Sequence, residues 1–83
     1  MLTGRTETKY LTTLVRHKTG QDWETAFDDV PITFSGEAQF WSLMTGWLDR
    51  RVQAYPPQMW DYWTTVCEQP GTWRSVPHLP AGA

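Results

Sequence analysis

Cysteine is nearly absent from this 83-residue chain, which contains Cys67 alone. A single cysteine cannot form an internal disulfide, and a small domain without disulfides is typical of a reducing compartment. No apolar run approaches the roughly 20 residues of a membrane span, and no signal-peptide pattern occurs. We therefore expect a cytoplasmic protein with no membrane partner.

Side chains that carry enzyme chemistry are also scarce. His17 and His78 lie far apart in the sequence, and with Cys67 they cannot supply the four ligands of a closed zinc site. Asp28 and Asp29 are adjacent, and neighbours in an extended segment point to opposite sides rather than into one cleft. No glycine-rich phosphate loop or nucleophile motif is present. The sequence predicts a non-enzymatic protein with no metal or other cofactor.

Charge is modest in total and uneven in distribution. The net charge is −2, which does not by itself indicate a polyanionic partner. Basic residues predominate in the first eighteen positions, whereas residues 22–37 hold five acidic residues and no basic one. If these segments pair, one edge of the sheet is basic and the other acidic. The acidic segment supplies four candidate partner-binding residues, Asp22, Glu24, Asp28 and Asp29.

Aromatic side chains are abundant: the chain has six Trp, three Tyr and three Phe. A chain of this length buries only a little over half of the surface that its unfolded form exposes. We therefore expect a single domain over 1–83, flexible termini over 1–6 and 78–83, and more rings than one core can enclose.

The first half of the chain predicts an antiparallel hairpin. Residues 8–17 are rich in β-branched and aromatic types that alternate along a strand. After a polar turn, Trp23, Thr25 and Phe27 alternate with polar residues as a second strand, which the DDVP segment breaks or bulges. Ile32–Phe34 either extends this hairpin or forms a short third strand.

A long amphipathic helix is predicted after Ser35, which we expect to cap it. Apolar residues recur at helical spacing as far as Tyr55 and cover about half of the helix surface, more than a hairpin alone would bury. Pro56 and Pro57 end this helix, because proline cannot continue one.

The segment after the two prolines allows two interpretations. The one we favour is a second, shorter helix whose apolar face holds Met59, Trp60, Tyr62, Trp63, Val66 and Cys67. The alternative is a strand within 57–67, because Tyr, Trp, Thr and Val favour sheets. Beyond Gly71, Pro77 and Pro80 indicate an extended tail without a regular element. The predicted fold class is therefore α+β.

The tail contains one recognisable pattern. The seven residues from Arg74 to Pro80, RSVPHLP, resemble the arginine-led PxxP ligand of SH3 domains. This resemblance implies a polyproline turn that presents an apolar ridge beside the arginine. We favour the alternative, a tail that folds back so that Trp73, Val76 and Leu79 cover the flank of the helices.

These features favour a protein-binding module, because Trp, Tyr and Arg dominate binding hot spots. We expect the acidic residues named above to act together with partly exposed aromatic residues and one arginine, namely Trp60, Tyr62, Trp73 and Arg74. Small acidic proteins without catalytic groups are common among phage and mobile-element inhibitors, anti-CRISPR proteins included. We therefore expect an inhibitor that blocks a larger host protein or complex, in the host cytoplasm if the gene belongs to a phage.

Two other functions remain open. Single-stranded nucleic acid can stack on a Trp and Arg surface, and the candidates are Arg50, Arg51 and Arg74 with nearby rings, although the negative net charge disfavours a polyanion. A homodimer, or a homo-oligomeric assembly protein with a chaperone-like role in a phage, would use the same aromatic surface between copies.

Overall fold

The computed structural model describes residues 5–20 and 22–80, so most of the predicted flexible termini, 1–4 and 81–83, lie outside it. The elements in chain order are β1 (Glu7–His17), β2 (Glu24–Phe34), α1 (Glu37–Ala54), β3 (Trp60–Cys67) and a 3₁₀ helix (Thr72–Ser75). The strands form one antiparallel sheet in the order β2-β1-β3. The fold class is α+β, as the sequence predicted.

The predicted hairpin is confirmed, and Ile32–Phe34 extends β2 rather than forming a separate strand. The DDVP segment is a bulge, in which Asp28 and Asp29 together lie opposite Thr12. Asp29 has a φ of 49°, in the left-handed region, and its backbone N–H donates to the Thr12 hydroxyl at 2.9 Å. Asp tolerates this conformation better than most residues do, since its short polar side chain can make local hydrogen bonds.

The helix α1 packs on one face of the sheet, mainly over β2. It begins one residue later than expected: Gly36, at a φ of 93°, is the N-cap residue, and the Ser35 hydroxyl donates to the Arg5 carbonyl instead. Phe40 is the buried residue of this helix, whereas Trp41 remains exposed. The core between helix and sheet is formed by five buried residues, Leu11, Phe27, Ile32, Phe34 and Phe40.

The predicted second helix is wrong, because Trp60–Cys67 form the strand β3. This strand pairs with β1 without a register shift, from Tyr10 opposite Cys67 to His17 opposite Trp60. Its aromatic and β-branched residues favour a sheet. Large apolar side chains lie on both of its faces, so the sequence lacks the alternation that identifies a half-buried strand.

The tail covers the opposite face of the sheet. Trp73 is 2% exposed, and its ring centroid lies 6.4 Å from that of Trp63 on β3. The Gly71 N–H donates to Oδ1 of Asp29 at 3.0 Å, which joins this segment to the bulge in β2. The expectation of no regular element after Gly71 is therefore wrong, since a 3₁₀ helix follows it. The tail folds back, but onto the sheet, and Arg74 lies in the 3₁₀ helix rather than in a polyproline turn.

The molecule is a thin slab with principal extents of 53 × 27 × 15 Å. One helix and one short turn cannot enclose every ring of such a sheet, and Trp73 is the only one of the six tryptophans that is buried. No helix in the described residues is both long and apolar enough to cross a membrane.

Candidate functional site

An open apolar groove of about 410 Å³ lies between α1 and β3. Leu48 and Val52 line it from the helix, and Trp60, Tyr62 and Thr64 line it from the strand. These three strand residues share the groove because alternate side chains of a strand point to the same face. The remaining lining residues are Pro57 and Asp61. The groove exists because α1 lies mainly over β2 and leaves this face of β3 partly uncovered.

The two rings of the groove are held in place by neighbouring groups. The Trp60 ring makes edge-to-face contacts with Tyr55 at 4.9 Å and with His17 at 5.2 Å between centroids. The Tyr62 hydroxyl donates to the Tyr55 carbonyl, and burial, followed by the neighbouring Tyr55, raises the pKa of Tyr62. Both rings are half-buried, so each has a fixed orientation and an accessible side. Rings fixed in this way lose little entropy when a partner covers them.

Asp61 borders the groove on β3, but its side chain points to the opposite face of the strand, where it lies beside two basic residues. Its carboxylate accepts a hydrogen bond from Arg16 Nη2 at 3.1 Å and lies 3.5 Å from Lys18 Nζ. The Arg16 hydrogen bond is the main cause of the lowered pKa of Asp61. The expectation of a basic edge beside an acidic edge is therefore wrong: β1 is central, and its basic end pairs with β3.

Asp61→Asn is expected to reduce thermal stability at pH 7 and to have a smaller effect at pH 2.5. A carboxylate whose pKa is lowered by folding stabilises the fold above its unfolded value, here 3.8, and this contribution disappears as pH falls through the folded pKa. The expected difference is small, because the ion pair is about one third exposed. Thermal melts followed by circular dichroism at both pH values test this prediction. Asp49→Asn, at an exposed position, is the control. A difference at pH 2.5 as large as the one at pH 7 would contradict this assignment.

Three of the acidic candidates, Glu24, Asp28 and Asp29, lie on β2, on the opposite side of β1 from β3, and Asp22 lies just before this strand. Asp22, Glu24 and Asp28 are exposed and make no ion pair within the described residues. Asp29 is half-buried, and its carboxylate accepts the Gly71 hydrogen bond. We refer to Asp22, Glu24 and Asp28 as the acidic row. It lies at the β2 edge of the sheet, whereas the groove lies beside β3.

Trp73 and Arg74 do not belong to the groove either. The expectation that Trp73 is partly exposed is wrong. The tail places the Trp73 ring against the face of the sheet on which Trp63 lies. Arg74 is exposed, with its guanidinium carbon 4.4 Å from the centroid of the Trp73 ring. Trp63 and Tyr62 are consecutive in β3, so this face is opposite the groove.

Five of the seven residues that line the groove are not among the candidates chosen from the sequence, namely Leu48, Val52, Pro57, Asp61 and Thr64. Leu48 and Val52 belong to the apolar stripe of the helix, which the sequence predicts as its packing face. The alternation of Trp60, Tyr62 and Thr64 is the signal that identifies this face once the segment is taken as a strand.

The arginines expected for nucleic acid are not gathered on one surface. Arg50 lies on α1, with its guanidinium carbon 5.1 Å from the Trp47 ring centroid, whereas Arg74 lies on the opposite face of the sheet. Cys67 is a free, half-buried thiol. Within residues 5–20 and 22–80, no group of three or more His, Cys, Asp or Glu residues is arranged to hold a metal ion.

No protein-family model matches the chain, and no curated protein or solved structure is significantly similar to it. The groove and the acidic row must therefore be interpreted from their own chemistry.

Proposed function

We propose that the chain is a non-enzymatic protein-binding module and that the groove between α1 and β3 is its contact surface. The observation that carries this proposal is an open apolar groove with two pre-oriented rings, Trp60 and Tyr62. Next to them, Val52 is 38% exposed and Met59 is 52% exposed. Aromatic anchors of this kind contribute most of the binding energy in protein interfaces.

A narrower proposal is that the protein inhibits a larger host protein or complex by covering a functional surface. The acidic row supports it, because its exposed carboxylates make no ion pair with any described residue and are available to a basic surface. Carboxylates arrayed on one edge can occupy positions that nucleic-acid phosphates would take. The groove and the acidic row would then contact two regions of the same partner. A phage or mobile-element origin stays a prediction from the size and charge of the chain.

Val52→Glu is expected to weaken partner binding on the order of 100-fold, because an interface would bury an unpaired carboxylate against apolar groups. Leu43→Glu is a matched control. Leu43 is 40% exposed and lies on the same helix, but it does not line the groove. Affinity purification from the native host with quantitative mass spectrometry would identify the partner, and calorimetry with the purified partner would give Kd for both variants.

Equal affinity of the Val52→Glu and Leu43→Glu variants would exclude the groove as the contact surface. If the acidic row alone mediates binding, Val52→Glu binds normally and the combined variant Asp22→Asn, Glu24→Gln and Asp28→Asn does not. If both surfaces contribute, each change weakens binding, and the amide variant also reduces the salt dependence of the association rate.

A further inference from the structure

The outer edge of β3 is open in the described part of the chain. β3 is an outermost strand of the sheet, and apart from its ladder with β1 the backbone of residues 61–67 makes no hydrogen bond within residues 5–20 and 22–80. Alternate backbone N–H and C=O groups along such an edge point away from the sheet and can pair with another strand.

The two edges of the sheet differ in how they are protected. β2 carries the Asp28–Asp29 bulge and Pro31, features that prevent another strand from pairing along it. β3 has eight residues in unbroken register, with no proline and no lysine. Its one charged residue, Asp61, already interacts with Arg16 and Lys18. The β3 edge therefore has none of the usual protection against pairing.

We propose that β3 pairs antiparallel with β3 of a second copy, which gives a six-stranded sheet in the order β2-β1-β3-β3-β1-β2. The two-fold axis of such a dimer is perpendicular to the sheet, so both α1 helices lie on the same face. Paired residues must then also point to the same face. Four side chains of β3 point to the groove face, and we call them the groove row: Trp60, Tyr62, Thr64 and Val66. When the two strands meet at their centres, each member of this row pairs with another member of it.

Charge does not oppose a second copy at this edge, because Asp61 is the one charged residue of β3. In the two central registers, which place Trp63 or Thr64 on the axis, Asp61 lies opposite Thr65 or Cys67 of the other copy. At about 3.4 Å per residue, the two Asp61 side chains are then separated by at least about 14 Å, beyond the screening length of about 8 Å at physiological ionic strength. Self-pairing of β2 would instead bring two acidic bulges together.

The dimer would also complete the groove. Tyr62 and Thr64 of both copies would lie side by side and form one floor between the two helices, each of which contributes Leu48 and Val52. The role of this joined groove in binding rests on the proposed function, whereas the pairing of the two β3 edges does not. A partner would then meet a two-fold symmetric surface with twice the number of aromatic anchors.

Sedimentation equilibrium of the full chain tests the dimer. At about 100 µM the wild type is expected to have twice the mass of one chain, with dissociation on dilution. Thr64→Lys places two lysines near the axis and is expected to raise the dissociation constant at least tenfold. Thr25→Lys is the matched control, an exposed threonine on β2, and should remain dimeric.

Hydrogen exchange gives a second measurement that does not depend on a variant folding correctly. Amides on the outer edge of residues 61–67 are expected to exchange faster on dilution, while amides that pair with β1 do not change. A wild-type monomer at about 100 µM, or a dimer that Thr25→Lys dissociates and Thr64→Lys does not, would overturn the proposal.

The two proposals can fail separately. A monomer that binds a host protein through the groove would overturn the dimer and retain the proposed function. A dimer that binds no host protein would do the reverse. A wild-type monomer whose 61–67 amides become protected only when a host protein is added would show that the edge belongs to that partner instead of a second copy.

Discussion

Trp73→Ala is expected to lower the free energy of unfolding by about 3–5 kcal/mol, the usual effect of removing a large buried ring. Trp73 is 2% exposed and packs against Trp63, so it is the main anchor of the tail on its face of the sheet. A domain of this length has a total stability of only about 4–12 kcal/mol, and the variant should therefore be partly unfolded under mild conditions. Urea denaturation followed by far-UV circular dichroism measures the change.

Trp41→Ala is the matched control, because it removes the same side chain from a position that is 54% exposed. Its expected effect is under about 1 kcal/mol, since its main contact is an edge-to-face approach to Phe40 at 5.7 Å. Similar effects of the two variants would mean that the tail does not hold the sheet as described.

Leu11→Ala should cost about 2–5 kcal/mol, because it leaves a cavity at the centre of the sheet. Leu11 is completely buried, and its Cα partners are Val30 on β2 and Val66 on β3. Its side chain therefore lies at the middle of the sheet, on the face that α1 covers. The midpoint of urea unfolding should fall while its denaturant dependence stays unchanged.

Leu43→Ala removes the same groups from a residue that is 40% exposed on α1. Its effect should stay below about 0.5 kcal/mol, since alanine is the better helix former. A loss as large as that of Leu11→Ala would show that the core lies elsewhere than in the cluster around Leu11.

Local patterns predicted the first half of the fold. The alternation over 8–17 identified β1, and the DDVP segment was correctly expected to interrupt β2. The long helix also follows its apolar periodicity closely, as Glu37–Ala54. These elements could be predicted because each has one apolar face, which gives a clear period in the sequence.

The second half could not be predicted in the same way, because its structure depends on distant contacts. β3 carries apolar side chains on both faces, one toward the groove and the other toward Trp73. In a strand that is covered on both faces, apolar and polar residues do not alternate along the sequence. The burial of Trp73 depends on where the tail crosses the sheet, which the hydrogen bond from Gly71 to Asp29 helps to determine. No pattern within the tail itself indicates that bond.

The candidate site was predicted in part. Trp60 and Tyr62 were chosen from residue type, and the structure places both in the groove; that they bind a partner stays a prediction. The helix residues Leu48 and Val52 could not be recognised, because sequence periodicity does not show which part of an apolar stripe a sheet leaves uncovered. The position of the acidic row relative to the groove depended on the strand order, which has no local signal.

The strand order also determines when the sheet can be completed during synthesis. β1 meets β2 across a short turn, whereas Tyr10 and Cys67, which pair in the finished sheet, lie near opposite ends of the chain. Closing so long a loop costs chain entropy before any contact forms, so this pairing is slow compared with hairpin closure. Until Cys67 has left the ribosome, one side of β1 has no neighbour. That side is where a nascent chain of this protein is most exposed to a chaperone or to a mispaired strand.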